Sequence, residues 1–238
     1  MMAMLVIAAV IFLAIHLLIA GTSVRDAITE AIGERAYLGL FSLASLGGIV
    51  WLVMSYNAAQ RGGQDPQLFD AGAGVRHLGI PVVALAFLLG LQGLLVRNPA
   101  AVQTGTPAAP APDTVRGVLR ITRHPFLWGV AIWSAFHLAA NGDEASVIFF
   151  GTFLVLALTG TISIDAKRRR KLGAAWESFA SRTSNIPFAA VLAGRTRLHP
   201  AESLGWRFWV AAILFVAILF SHPRLFGVSP FPGGWVPF

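Results

Sequence analysis

The chain has 238 residues, of which 56 % are hydrophobic and only 12 % are charged, and its net charge is +7. Soluble domains carry about 25 % charged residues, so this composition excludes an ordinary soluble protein and predicts a membrane protein. The absence of cysteine excludes disulfides, thiolate metal sites and cysteine nucleophiles. Because the basic residues lie between apolar stretches, we interpret the positive charge as a determinant of membrane orientation and not as a nucleic-acid-binding surface.

The apolar stretches predict an all-α fold, a polytopic membrane bundle of about six transmembrane helices in a single domain spanning residues 1–238. Each stretch approaches the roughly 20 residues that a spanning helix needs. The first could be mistaken for a signal peptide, but no Lys or Arg precedes Arg25, so we interpret it as the first span. The predicted spans are 3–20, 37–56, 78–96, 122–140, 145–164 and 206–221.

The 18 Lys and Arg residues are distributed unevenly between the loops. Almost all of them follow the first, third and fifth predicted spans, and the run Lys167–Lys171 is the densest group. The excess of Lys and Arg in cytoplasmic loops of membrane proteins places these three loops in the cytoplasm. We therefore expect a protein of the bacterial inner membrane with both termini on the outer side.

Three segments outside the spans have a distinct composition. Residues 98–113 are rich in Pro, Ala and Thr, which predicts a flexible linker. The tripeptide Asn141-Gly142-Asp143 predicts a tight turn that makes spans four and five an antiparallel hairpin. The tail 226–238 is rich in Pro, Gly and aromatic residues, and we expect it at the outer membrane interface.

Two of the six histidines, His16 and His137, lie inside predicted spans. Ionisable residues inside a membrane are costly and usually functional, so each is a candidate for metal or haem ligation, for proton transfer or for a structural hydrogen bond. A pair on two helices suggests bis-His haem ligation in the bundle. Their positions along the two spans differ in depth by roughly 13 Å, however. Depth alone would pair His16 with His124, and His77 with His137.

The segment Arg120-Ile121-Thr122-Arg123-His124-Pro125 stands at the entry of span four. Arg120 and Arg123 are candidates for binding a haem propionate or a phosphate, and the alternative is contact with anionic lipid head groups. Lys167–Lys171 is better explained as an anchor to membrane lipids. Trp133 lies four residues before His137 on one helix face, where it either packs in the core or stacks on a flat ligand.

Two long stretches resemble signatures of the NnrU family. They are ITRHPFLWGVAIWSAFHLAANGD (Ile121–Asp143) and RRRKLGAAWESFASRTSNIPFAAVLAGR (Arg168–Arg195), and the stretch GERAYLGLFSLASL (Gly33–Leu46) is also similar. The family includes bacterial proteins linked to denitrification and relatives that isomerise 15-cis-zeta-carotene with haem b. The resemblance therefore implies a haem b iron ligated by His16 and His137, with Arg120, Arg123 and His124 at the cofactor site.

The resemblance also implies an activity and its alternatives. The first hypothesis is a redox-dependent cis-trans isomerase whose lipophilic polyene substrate enters from the lipid, with His16 and His137 as catalytic residues and His137 as the ligand released from iron. The second is a non-enzymatic membrane factor that supports nitrite or nitric oxide reduction. The third rests on a weaker similarity, through RHP and a later basic stretch, to membrane methyltransferases of the isoprenylcysteine carboxyl type. Those enzymes carry paired glutamates where this chain has Asp165-Ala166-Lys167-Arg168.

Overall fold

The computed structural model describes residues 1–20, 22–101 and 114–234, and within these ranges the chain is helical and contains no β-strand. Residues 102–113 of the predicted linker and 235–238 of the predicted interfacial tail lie outside the described residues. A π-helix, Ile15–Ile19, follows the first α-helix, and a 3₁₀ turn, Gly117–Arg120, precedes the sixth. The α-helices are α1 (Met2–Ala14), α2 (Ser23–Ile32), α3 (Glu34–Arg61), α4 (Gly72–His77), α5 (Gly79–Leu95), α6 (Pro125–Asn141), α7 (Glu144–Leu172), α8 (Ala174–Ser181), α9 (Ala189–Leu192), α10 (Pro200–Ser203) and α11 (Trp206–Phe226).

The long helices confirm a helical protein suited to a membrane. Four described helical segments are long and apolar enough to cross a bilayer: Met2–Ile19, α3, α7 and α11. The helices α5 and α6 have 17 residues each, or about 25 Å of helix against a hydrocarbon core of about 30 Å. The count of six spans therefore stays a prediction.

The bundle has two chemically different ends. Helices α5, α6 and α7 pack side by side, α1 packs on α3 and α7, and α11 packs on α5. We call the end that holds Lys167–Lys171 the basic end; there the Lys167 ammonium donates a hydrogen bond to the carbonyl of Ala20, after α1. We call the opposite end, which holds Gly142, the turn end. Met1 lies there, since its Cε is 2.6 Å from the Cβ position of Gly62 at the end of α3.

The predicted hairpin between spans four and five is confirmed. Helix α6 ends at Gly142, whose positive φ of 73° and whose Cβ position 2.1 Å from the Phe69 carbonyl oxygen leave no room for a side chain. Asp143 is the N-cap of α7, where its carboxylate accepts a hydrogen bond from the Ser146 N–H at 2.7 Å. The Asp65 carboxylate accepts another from the Ala145 N–H at 2.9 Å, so the loop before α4 also holds this helix start.

Small residues bring α5 and α6 unusually close. A Cβ on Gly129 would lie 2.6 Å from the Gly90 Cα, and one on Gly93 would lie 2.6 Å from the Phe126 backbone nitrogen. Membrane helices associate mainly by such close backbone packing, because lipid tails compete equally well for apolar side chains. The start of α6, directly after its N-cap His124, is thereby fixed against the end of α5.

Candidate functional site

His16 lies in the π-helix at the end of the first span, and its ring has a defined orientation. Its Nδ1 is 2.8 Å from the Phe12 carbonyl oxygen, and because a carbonyl only accepts, Nδ1 carries the proton and donates. The lone pair is then on Nε2, where the Ser45 hydroxyl lies 3.4 Å away. Short π-helical segments occur frequently at functional sites, and a fixed Nδ1–H with a free Nε2 lone pair is the usual form of a metal-binding histidine.

The surroundings of His16 extend toward the basic end as a row of rings. The imidazole contacts Phe12 and Phe41, with ring centroids 4.5 Å and 5.3 Å away, and Phe41 stacks on Tyr37 at 5.9 Å. The Tyr37 hydroxyl is buried without a hydrogen-bond partner, although buried polar groups normally have one. The guanidinium of Arg25 lies over the Tyr37 ring, 5.3 Å from its centroid. An unpartnered donor and a nearby cation suit a bound carboxylate at this boundary.

His137 has the same internal geometry on α6. Its Nδ1 donates to the Trp133 carbonyl at 2.8 Å, and Nε2 has no hydrogen-bond partner among the described residues. The imidazole stacks on Phe150 at 4.9 Å and also contacts Trp133 at 5.0 Å and Phe136 at 5.8 Å. Both sequence-predicted ligands therefore have Nδ1 bonded to the backbone carbonyl four residues earlier and lie in an aromatic environment.

The two imidazoles are linked by ring contacts and lie at different depths. Phe153 on α7 contacts both Phe12 and Trp133, with centroids 5.8 Å away in each case. His16 follows Phe12 by one turn toward the basic end, whereas His137 contacts Phe150, which precedes Phe153 toward the turn end. Phe150 and Phe153 are three residues apart on α7 and His16 follows Phe12 by four residues, so the backbones of the two histidines differ in depth by about 10 Å at ~1.5 Å per residue. Each histidine fits the donor chemistry of a haem ligand.

The alternative partners suggested by depth are now distinguishable. His124, at the start of α6, is 3 % exposed, and its Nε2 is 2.7 Å from an Asp165 carboxylate oxygen, so this nitrogen already has a partner. His77, at the end of α4, is exposed. It lies toward the turn end, because Gly79, two residues later, contacts Phe136 near the end of α6. His77 therefore remains the alternative partner for His137.

A group of buried charged side chains holds the RHP motif, Arg123-His124-Pro125, in place. Asp165 on α7 is 9 % exposed and binds Arg123, whose Nε is 2.9 Å and 3.0 Å from the two carboxylate oxygens, together with His124. The side-chain amide of Asn185 donates to the same carboxylate at 3.3 Å. The guanidinium of Arg123 also lies 5.8 Å from the ring centroid of Trp176, which is fully buried. A buried charge needs such partners, so this group has a structural role.

The two long signature stretches meet through this group. The Arg123 N–H donates to the Ser184 carbonyl at 2.9 Å, and the Phe188 N–H donates to the Ile121 carbonyl at 2.8 Å. The Thr122 hydroxyl donates to the Asn185 carbonyl at 2.5 Å. Of the cations expected near the cofactor, Arg123 thus binds Asp165, and Arg120 binds Glu202 at 2.8 Å. Both have carboxylate partners within the fold, as does Arg25, whose guanidinium is 3.4 Å from carboxylate oxygens of Asp26 and of Glu34. Arg25 reaches the His16 side of the site through its contact with the Tyr37 ring.

Sequence reasoning missed Asp165, Tyr37 and Glu202. Asp165 directly follows the fifth predicted span and precedes a basic run, a position that reads as a solvated membrane boundary. The signal available in the sequence was one acidic residue directly before a basic run. In the structure this carboxylate neutralises Arg123. Tyr37 starts the second predicted span, where aromatic residues normally belong to the interfacial belt.

The chain is similar to a known protein family over nearly its whole length. The NnrU protein family matches residues 4–230. The chain belongs to this family. It is also 29 % identical over 211 residues to the chloroplastic 15-cis-zeta-carotene isomerase of Arabidopsis thaliana, covering 87 % of this chain and 56 % of that protein.

A second plant relative shows the same similarity over a shorter region. The chloroplastic 15-cis-zeta-carotene isomerase of Zea mays is 30 % identical over 112 residues, or 46 % of this chain and 31 % of that protein. The alignments thus cover about half of one relative and a third of the other. No solved structure is significantly similar to the chain.

Proposed function

We propose that this NnrU-family protein is a haem-b-binding membrane protein that catalyses redox-dependent cis-trans isomerisation of a lipophilic polyene such as 15-cis-zeta-carotene. The observation that carries the proposal is the similarity to two 15-cis-zeta-carotene isomerases, of which the longer alignment covers 87 % of the chain. His16 and His137 are the proposed ligands, because each has Nδ1 bonded to a backbone carbonyl, which leaves Nε2 as the nitrogen that would bind a metal.

The protein's own residues suit this role in three ways. The Tyr37 hydroxyl and the Arg25 guanidinium offer hydrogen-bond donors to a propionate on the His16 side. The rings of Phe12, Phe153 and Trp133 provide flat apolar surfaces for a conjugated chain. His137 is the ligand that we expect to be exchanged, since its Nε2 has no partner among the described residues, whereas Ser45 lies beside Nε2 of His16.

When bound and reduced, haem supplies an electron-rich iron that lowers the barrier to rotation about a double bond. The apolar side chains keep water away from the polyene, and the substrate enters from the lipid because its solubility in water is negligible. Ligation of one iron by both histidines requires that their side chains and the tilt of the helices span the depth difference of about 10 Å between their backbones. The alternative pair is His77 and His137, which both lie toward the turn end.

Absorption spectroscopy tests the cofactor and its ligands. The protein is purified in detergent after growth with added haem precursor, and spectra are recorded oxidised and dithionite-reduced. We expect a Soret band with split low-spin α and β bands, which are lost or shifted in His16→Ala and in His137→Ala. The control is His199→Ala, which changes an exposed histidine outside the predicted spans. Loss in His77→Ala and not in His16→Ala would establish the alternative pair, and a colourless wild-type protein would contradict haem binding.

An activity assay then separates the isomerase from a non-enzymatic role. Purified protein is mixed with 15-cis-zeta-carotene in detergent under anaerobic conditions, and the isomers are separated by chromatography. We expect conversion by the reduced protein and none by the oxidised protein. A haem protein that converts nothing in either state would favour the denitrification-factor hypothesis, whereas a colourless protein that binds S-adenosylmethionine would favour the methyltransferase hypothesis.

We further propose that the protein lies in a bacterial inner membrane with its basic end in the cytoplasm, following the distribution of Lys and Arg. The cysteine-free chain allows a direct test. Single cysteines are introduced at Arg170, at the basic end, and at Arg61, at the turn end, and intact cells are treated with a membrane-impermeant maleimide. Labelling at Arg61→Cys and protection at Arg170→Cys is expected, and the reverse pattern would invert the orientation.

A further inference from the structure

A cleft of about 510 Å³ lies at the basic end, away from the two intramembrane histidines. Its walls come from the turn Gly117–Arg120, the end of α8, the segment before α10, and α10 itself. Among the residues that line it, Glu202 is the one acidic residue. The five arginines of its wall are Arg116, Arg120, Arg182, Arg195 and Arg197. The volume is in the range of ligand pockets, and the cleft carries a strong excess of positive charge.

Two of these arginines stabilise the fold. Arg120 donates to both carboxylate oxygens of Glu202, at 2.8 Å and 3.0 Å, and to the Thr196 hydroxyl at 3.2 Å. Arg195 donates to carbonyls at the end of α8, including those of Ser181 and Thr183 at 2.9 Å each. These contacts hold two guanidinium groups in fixed positions on the wall.

Arg116 and Arg197 are different, because neither guanidinium group forms a hydrogen bond or ion pair with the described residues. Both side chains are exposed at the cleft, beside three further arginines. Like charges repel one another, so this group of arginines does not by itself stabilise the fold. An anion with several oxygens would relieve the repulsion and accept the paired N–H groups that each guanidinium offers.

Large apolar side chains that are exposed lie within four residues of the cleft residues along the chain, and we call them the apolar rim. Leu192 is 86 % exposed, and Leu198, Leu204 and Trp206 are also exposed. Trp206 is the first residue of α11, a helix long and apolar enough to span the bilayer. Exposed Leu and Trp next to a basic cleft at a helix end are typical of a protein surface at the level of lipid head groups.

We propose that this cleft binds the phosphate groups of a lipid-like anion that carries two phosphates, with Arg116 and Arg197 as the binding residues. Two phosphates match the two guanidinium groups that have no partner in the described structure, and the apolar rim accepts the hydrocarbon part of the ligand. The site is separate from the proposed haem ligands and from the polyene-binding rings. It would hold its ligand whether or not the protein is an isomerase.

The test compares two double variants with the same loss of charge. Arg116→Gln/Arg197→Gln changes the cleft, and Arg35→Gln/Arg97→Gln changes two exposed arginines at the basic end that lie outside both the cleft and the run Lys167–Lys171. The purified proteins are titrated with cardiolipin in detergent and analysed by native mass spectrometry. In parallel, melting temperatures are measured with sodium pyrophosphate and with sodium phosphate. Without ligand we expect all three proteins to melt alike, because the changed side chains are exposed.

We expect the wild type and the control variant to bind cardiolipin alike, and the cleft variant to bind it at least about tenfold more weakly. Stabilisation by pyrophosphate with the same dependence on Arg116 and Arg197, and without cardiolipin binding, would identify a free diphosphate as the source of the two phosphates. Equal binding by the two double variants, or binding of neither cardiolipin nor pyrophosphate, would refute the proposal.

Discussion

Replacing Gly129 by alanine adds a single methyl group at the closest approach of α5 and α6. The new Cβ would lie 2.6 Å from the Gly90 Cα and 2.6 Å from the Ala86 carbonyl oxygen, whereas ordinary van der Waals contact begins at 3.4 Å. Both neighbours are backbone atoms and cannot rotate away. The helices must therefore separate by about 0.8 Å over a contact surface that includes the start of α6, and overpacking of this kind costs about 1–3 kcal/mol.

The matched control is Gly39→Ala on α3. Gly39 is also a helical glycine, but nothing lies within 4 Å of its Cβ position. Alanine is the better helix former by up to about 1 kcal/mol, so Gly39→Ala is expected to be neutral or stabilising. The two variants share the same chemical change and differ in the contact alone.

Equilibrium unfolding of detergent-solubilised protein with increasing dodecyl sulfate, followed by circular dichroism, measures the difference. We expect Gly129→Ala to unfold at a lower denaturant fraction than Gly39→Ala, with a gap of about 1–3 kcal/mol. If Gly129→Ala is as stable as Gly39→Ala, the close packing of α5 on α6 does not contribute as argued.

Three further predictions concern the polar groups at the two ends of the bundle. Asp165→Asn removes the charge that Arg123 and His124 share, and is expected to cost about 3–5 kcal/mol in unfolding free energy. Glu177→Gln, at an exposed ion pair with Arg169, is expected to cost much less, and equal losses would contradict the buried role. Hydrogen bonds from Arg120 lower the pKa of Glu202 from its ordinary 4.5 to about 2. A depressed carboxyl pKa stabilises the fold above the unfolded value, so this contribution is lost as the pH falls from about 4.5 to about 2. Melting temperatures of the wild type should therefore fall more steeply over this window than those of Glu202→Gln, and parallel curves would contradict the assignment. Asp143→Ala removes the N-cap of α7 and should cost about 1 kcal/mol, while Asp143→Asn, which retains an acceptor oxygen, should lose less; equal losses in thermal unfolding would argue against capping.

Short-range features of the candidate site were accessible from the sequence. Imidazoles inside apolar stretches stand out because an apolar span tolerates few ionisable groups, and this alone selected His16 and His137. The rise of an α-helix also converts residue number into an expected backbone offset of roughly 13 Å, and the separation of the two Nε2 atoms stays a prediction. The helix rise could not identify the aromatic rings of Phe12, Phe153 and Trp133 that connect the two histidines.

The roles of the arginines depended on contacts between distant segments. Arg120 and Arg123 read alike in the sequence, as cations beside a span, but their partners Glu202 and Asp165 are 82 and 42 residues away. No local pattern specifies such pairs. The same holds for the basic cleft, where Arg116 and Arg197 come from segments on either side of α6 and α7.

The sequence by itself determined that this chain is a helical membrane protein with a basic end and a tight turn at Gly142, because hydropathy, charge distribution and turn chemistry act over a few neighbouring residues. The tertiary structure alone decided which cations are neutralised by carboxylates, which imidazole nitrogens remain available, and where α5 and α6 touch. These are properties of side chains that helix packing brings together, and the packing depends on shape complementarity over the whole bundle.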